Sequence, residues 1–174
     1  MWYNKEKGAR FLFRPTDVFD HLWDISPDYI QKNHIRAFFL DVDNTLTAHN
    51  SQTVLPQVRQ WLDERKKEGV LLILLSNNTP ERVAPFAAAL GVDFVTGTKP
   101  RRDIYEAALK KAGVPREATA AVGDQFFTDV WGASRAHIRC LLTRPLSRDT
   151  NRFIRFKRVL EKPLWRLYAK EKTQ

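Results

Sequence analysis

The chain carries a single cysteine, Cys140, in 174 residues. No intramolecular disulfide can form, which excludes the stapled secreted scaffolds and fits a reducing compartment. Long apolar runs are missing too. The longest is six residues, 70–75, against the ~20 that a membrane-crossing helix needs. The first residues mix Trp2 and Tyr3 with Lys5, Glu6 and Lys7, without the apolar core of a secretion signal. No internal repeat or low-complexity stretch is present. Acidic charge is the scarcer sign, 20 Asp and Glu against 29 Lys and Arg. These features lead us to expect one cytoplasmic globular domain with an anionic partner: lipid, nucleic acid or a phosphorylated substrate.

What is present is an alternation of short apolar runs and amphipathic stretches. Residues 37–40, 70–75, 92–95, 118–122 and 138–142 read as buried strands. Helices are expected over 55–68, 82–90, 101–112 and 128–136, with Gly69, Gly91 and Gly113 as stops and Thr79-Pro80-Glu81 as a start. The pattern implies an α/β fold with a five-stranded, mainly parallel sheet and helices on both faces. Three segments follow: an N-terminal arm (1–35), the core (36–144) and a C-terminal extension (145–174).

The arm is rich in aromatics. Thr16 or Asp17 is expected to cap a short helix carrying Phe19, Leu22 and Trp23, and Ser26-Pro27-Asp28 to open another. It is expected to pack on the core, an interfacial element being the alternative. The extension holds eight Lys or Arg against two Glu over 151–174. Phe153, Phe156 and Leu160 fall at helical spacing among Arg152, Arg155, Lys157 and Arg158. Past Pro163 come Leu164, Trp165, Leu167 and Tyr168 with Arg166 and Lys170. Such a basic amphipathic helix either lies in an anionic membrane surface or packs its apolar stripe on the domain.

The chemistry centres on residues 38–46, Phe-Phe-Leu-Asp-Val-Asp-Asn-Thr-Leu. A buried strand ends in Asp41 and Asp43, and two acids placed there can converge on one divalent cation. Further polar clusters follow the later strands: Ser76 and Asn77, then Lys99, then Asp124 and Asp129. Open α/β sheets bind ligands at the carboxyl ends of their strands. Each cluster has a plainer reading as a capping turn or a solvated side chain, but their common position at one edge argues for a site.

In this order, D-x-D-x-T, Ser, Lys and G-D-x-x-x-x-D resemble the four motifs of the haloacid dehalogenase-like (HAD) phosphatases over residues 36–144, implying a Rossmann-like core. The resemblance implies Asp41 as nucleophile, forming an aspartyl-phosphate, and Asp43 as general acid and base. It implies Mg²⁺ held by Asp41, Asp124 and the Asp43 carbonyl, with Asp129 supporting the metal or the lysine. Ser76 and Asn77 would bind the phosphoryl oxygens, and Lys99 would neutralise charge.

Thirty residues separate Leu46 from Ser76 and 22 separate Asn77 from Lys99. Neither gap holds a cap domain, so an open site is expected, with residues 47–53 as its only flap. Asp41-Val42-Asp43-Asn44-Thr45-Leu46, Ser76-Asn77-Asn78, Lys99-Pro100 and the stretch 123–130 are similar to the YqeG-like branch of HAD subfamily IIIA. That resemblance implies a phosphatidylglycerophosphate phosphatase working on a lipid headgroup at the inner membrane face. The alternatives are a soluble nucleotide or sugar phosphate as substrate, or an RNA-binding module with incidental hydrolysis. Nucleic acid is the partner least expected, since a binder has no need of four acids.

Overall fold

The computed structural model describes residues 13–49, 51, 53–149 and 151–169. The expectations for Trp2, Tyr3 and Lys170 lie outside them. Six strands form one sheet: β1 Asp17–Phe19, β2 Ala37–Leu40, β3 Leu71–Ser76, β4 Asp93–Thr96, β5 Thr119–Gly123 and β6 Arg139–Thr143. Their order is β1-β6-β5-β2-β3-β4, and each neighbouring pair runs parallel. From β2 the chain winds outward through β3 to β4, then returns to place β5 on the other side of β2. The carboxyl ends of β2 and β5 therefore flank the point where winding reverses, where such sheets open a crevice.

Side chains alternate across the sheet and build two cores. Phe38, Leu40, Leu72, Leu74, Ala120 and Val122 face Val58, Trp61 and Leu62 of α2 (Pro56–Lys67) and Val83, Phe86 and Leu90 of α3 (Pro80–Leu90). Ile30 of α1 (Pro27–Lys32) joins that layer. On the other face Phe39, Ile73, Leu75, Ala121 and Leu142 meet Ile104, Tyr105 and Ala108 of α4 (Arg102–Ala112), Ala133 of α5 (Trp131–Arg135) and Tyr168 of α6 (Arg152–Ala169). Both α3 and α4 stop at a glycine in the left-handed region, Gly91 (φ 63°) and Gly113 (φ 61°), where a side chain would be strained.

The structure corrects the five-strand expectation. Asp17–Phe19, expected within a helix, is an edge strand. It covers the open backbone edge of β6: Thr16 N–H donates to the Cys140 carbonyl (2.7 Å) and Cys140 N–H to Thr16 Oγ1 (3.1 Å). Unpaired edge groups favour such a partner. Only Leu22–Asp24 turns helically, as a short 3₁₀ segment.

Two other elements differ from the sequence pattern. The expected helix 128–136 begins as a wide π turn over Phe126–Val130 before α5. And α6 runs unbroken through Pro163. Pro163 is exposed, as is Val159 one turn earlier, so water can serve the carbonyl that loses its helical partner. Among the described residues no helix is long and apolar enough to cross a membrane.

Candidate active site

Asp41 continues β2 by one bond, its N–H donating to the Val122 carbonyl at 2.9 Å. The chain then wraps the Val42 carbonyl, which accepts from the Thr45, Leu46 and Thr47 N–H groups (3.0–3.3 Å). Asn44 makes this turn at φ 64°, a conformation Asn tolerates better than most residues. Thr45 is thereby folded back, and its hydroxyl donates to Asp41 Oδ2 at 3.3 Å.

At the neighbouring strand end, Gly123 and Asp124 follow β5. A Cβ on Gly123 would lie 2.3 Å from Asp129 Cγ, so only glycine lets the π turn bring Asp129 back over the strand. There Asp129 Oδ2 accepts from Gln125 N–H (3.2 Å) and the Thr128 hydroxyl (3.1 Å). Tyr105 supports the turn from below, its hydroxyl donating to the Thr128 and Asp129 carbonyls (3.4 and 3.3 Å).

Lys99 is inserted between the two strand ends. Its Nζ donates to Asp41 Oδ1 and, at 2.7 Å, to Asp129 Oδ1. One carboxylate oxygen each of Asp41, Asp124 and Asp129 lies within 4.8 Å of the others. Asp43 is not in that cluster; its Oδ2 accepts from Asn78 Nδ2 at 3.1 Å. Ser76 Oγ accepts from Asn78 N–H (3.1 Å), and Asn77 Oδ1 accepts from Lys99 N–H (2.7 Å), tying the end of β3 to the lysine loop. All seven residues singled out in the sequence stand at this one edge. Five of them, Asp41, Asp43, Ser76, Asn77 and Lys99, line a cavity of about 260 Å³, which Thr128 also borders.

The charges are unbalanced. Burial pushes the Asp41 carboxyl up to about 7, against the pull of Lys99 and with Asp129 and Asp43 pushing the same way. Asp124 is also raised well above the usual carboxylate range, by burial first, despite the guanidinium of Arg158 beside it. Burial would lower Lys99, but Asp129 and Asp41 more than reverse this and hold its ammonium well above the usual range. Three buried carboxylates share two cationic side chains. Asp124 Oδ1 is buried with no hydrogen-bond partner, which is costly unless something positive meets it. An all-oxygen donor set with surplus negative charge and one orphaned carboxylate oxygen fits a hard divalent cation such as Mg²⁺.

Comparison with known proteins agrees with this geometry. The profile of the haloacid dehalogenase-like hydrolases matches residues 32–137. The chain belongs to this family. In sequence, this HAD hydrolase is 27% identical over 152 residues to the probable phosphatase YqeG of Bacillus subtilis, covering 87% of this chain and 88% of that one. It is also 27% identical over 126 residues to a phosphoglycolate phosphatase of Pseudomonas fluorescens, of whose length it spans 45%. Among solved structures, a haloacid dehalogenase-like hydrolase from Brucella suis superposes with a TM-score of 0.56 at 16% identity, over 71% of this chain and 88% of that one. The last likeness speaks for the fold alone.

Sequence reasoning missed the part of the HAD site contributed by the C-terminal segment. Asp149, Asn151 and Ile154 line the same cavity, together with His49 and Gln125. The flap is therefore met by a second wall, and the expected open site is partly enclosed. Arg158 of α6 donates to Asp124 Oδ2, to the Asp124 carbonyl (2.6 Å) and to Asp149 Oδ2 (2.9 Å). Asn44 donates from Nδ2 to Asp149 Oδ1 (2.7 Å) and accepts from the Ser147 hydroxyl (2.7 Å). Arg158 was visible only as one cation among eight in the tail, and spacing gave no signal for it.

Proposed function

We propose that this HAD hydrolase cleaves phosphomonoesters with Asp41 as nucleophile. The observation that carries the proposal is the convergence of Asp41, Lys99 and the half-unpartnered Asp124 at the winding reversal of the sheet. Asp41 attacks phosphorus, the ester P–O bond breaks, and the departing alkoxide takes the proton of the Asp43 carboxyl. The Asp43 carboxylate then removes a proton from water, which attacks the aspartyl-phosphate and releases phosphate with Asp41 restored. Asn78 orients Asp43 for both steps. Ser76 and Asn77, with the N-terminus of α3, bind the equatorial oxygens, and Lys99 neutralises nucleophile and phosphoryl group together. Asp41, Asp124 and the Asp43 carbonyl would hold Mg²⁺, which supplies the remaining charge neutralisation when bound.

For the substrate, the relative named for phosphoglycolate and the partly enclosed cavity support a small soluble phosphomonoester such as a sugar phosphate. A second reading, a phospholipid headgroup such as phosphatidylglycerophosphate, is favoured by α6. Its residue Ile154 lines the cavity while Phe153, Phe156, Val159, Leu160 and Leu167 are exposed on its outer side, flanked by Arg152, Arg155, Lys162 and Arg166. A helix so composed suits an anionic interface.

The test is phosphate release, with Mg²⁺, from phosphoglycolate and sugar phosphates in solution and from phosphatidylglycerophosphate in anionic vesicles, with Asp41→Asn as blank. Faster turnover of the soluble esters supports the first reading, and faster turnover of the lipid the second. Activity surviving in Asp41→Asn would overturn the mechanism.

A further inference from the structure

Arg158 lies on the C-terminal helix, 34 positions from Asp124, yet its half-buried side chain packs against it. Its guanidinium distributes its donors over three acids and one carbonyl. Nη2 meets Asp124 Oδ2, Nη1 the Asp124 carbonyl (2.6 Å) and Glu161 Oε2 (3.4 Å), and Nε meets Asp149 Oδ2 (2.9 Å). Each anchor is itself held. Glu161 Oε1 accepts from Phe127 N–H in the π turn at 3.2 Å. Asp149 Oδ1 accepts from Asn44 Nδ2 at 2.7 Å, next to Asp43. A continuous run of bonds thus links the loop after β2, through the segment before α6, to Asp124 after β5.

The consequence falls on Asp124. Its Oδ2 is occupied by Arg158 while Oδ1, equally buried, has no partner. The carboxylate is fixed in one rotation with one oxygen offered. We propose that Arg158 is a positioning residue for the cation site, so that α6, by holding Asp124, sets the site's affinity for its divalent cation. This rests on the metal-assisted reading above. Groups that orient a ligand from outside the coordination sphere typically change metal affinity 10–100-fold. Pure electrostatics has the opposite sign, since a guanidinium beside a metal ligand repels the cation and its removal would tighten binding. The direction of the change therefore separates the two.

The full chain is titrated with Mg²⁺ by calorimetry as wild type, Arg158→Gln, Arg158→Lys and Asp149→Asn. Affinity is expected to fall about 10–100-fold in Arg158→Gln. It should stay low in Arg158→Lys, which keeps the charge but lacks the planar fork. Asp149→Asn keeps Arg158 charged but loosens it, and should weaken binding in the same direction. Coupling is reciprocal, so Mg²⁺ should slow amide exchange across α6 in the wild type and not in Arg158→Gln. Unchanged or tighter binding in folded Arg158→Gln would overturn the inference, and if that variant fails to fold, Asp149→Asn decides in the same way. A wild type that binds no Mg²⁺ sinks the metal-assisted reading as well, whereas wild-type binding that the substitutions leave unaltered sinks this inference alone.

Discussion

Lys99 is the clearest point at which stability and chemistry meet. It is 5% exposed, and its ammonium is shared between Asp41 and Asp129. Lys99→Met preserves the stem's volume and removes the charge, leaving two buried carboxylates without their cation. Breaking a buried pair from one side costs about 3–5 kcal/mol. For a domain of this size each kcal/mol moves the melting temperature by about 2–4 °C, so a drop of roughly 6–20 °C is expected in chelator. Adding Asp129→Asn to Lys99→Met removes one stranded charge and should restore part of the loss. The assay is urea and thermal unfolding followed by tryptophan fluorescence with EDTA. A cost below about 1 kcal/mol, well short of the expected range, or a double variant no better than the single, would refute the reasoning. In turnover, Lys99→Met should lose at least ~10²-fold in kcat, as expected for a lost donor at developing charge.

Three further outcomes are expected. Gly123→Ala drives a Cβ into the Asp129 carboxyl and should abolish turnover while lowering thermal stability; retention of both would mean that the π turn adjusts freely. A carboxyl whose folded pKa is raised contributes stability fully present below its unfolded pKa and lost as pH rises through the folded value, here about 7 for Asp41. Mg²⁺ binds the ionised form, so its thermal stabilisation should grow from pH 6 to pH 8, and differential scanning fluorimetry showing the reverse trend would contradict the assignment. Replacing exposed Phe156 and Leu160 by Ser should leave turnover of soluble esters unaltered; loss of vesicle co-sedimentation would favour the lipid reading, and unaltered co-sedimentation would count against α6 as its membrane face.

The elements of the core were legible because their signals are local. An apolar run such as 70–75 marks a strand, Gly91 and Gly113 mark helix ends, and Asp41 and Asp124 follow directly on strands, with Asp43 and Lys99 shortly after their own. What escaped depends on contacts distant in sequence. Asp17–Phe19 is too short to show a period, and it is extended because β6 offers an unpaired edge. The π turn of Phe126–Val130 follows from Asp129 bending back over Gly123. In α6 the exposed Phe153, Phe156 and Leu160 supplied the visible apolar stripe, whereas the stripe that packs inward is Ile154, Arg158, Glu161, Trp165 and Tyr168. Two charged residues in that stripe broke the hydrophobic pattern, because their burial is made tolerable by Asp124, Asp149 and Phe127 rather than by neighbours in the sequence.

The central claim is that Asp41 carries the phosphoryl group, and trapping tests it most directly. The enzyme would be mixed with a ³²P-labelled substrate found in the release assay, quenched in acid within the first turnover, digested and mapped by mass spectrometry. The account predicts an acid-stable, hydroxylamine-labile phosphate on the peptide containing Asp41, absent from Asp41→Asn. Turnover with no labelled peptide, or label that persists in Asp41→Asn, would contradict it.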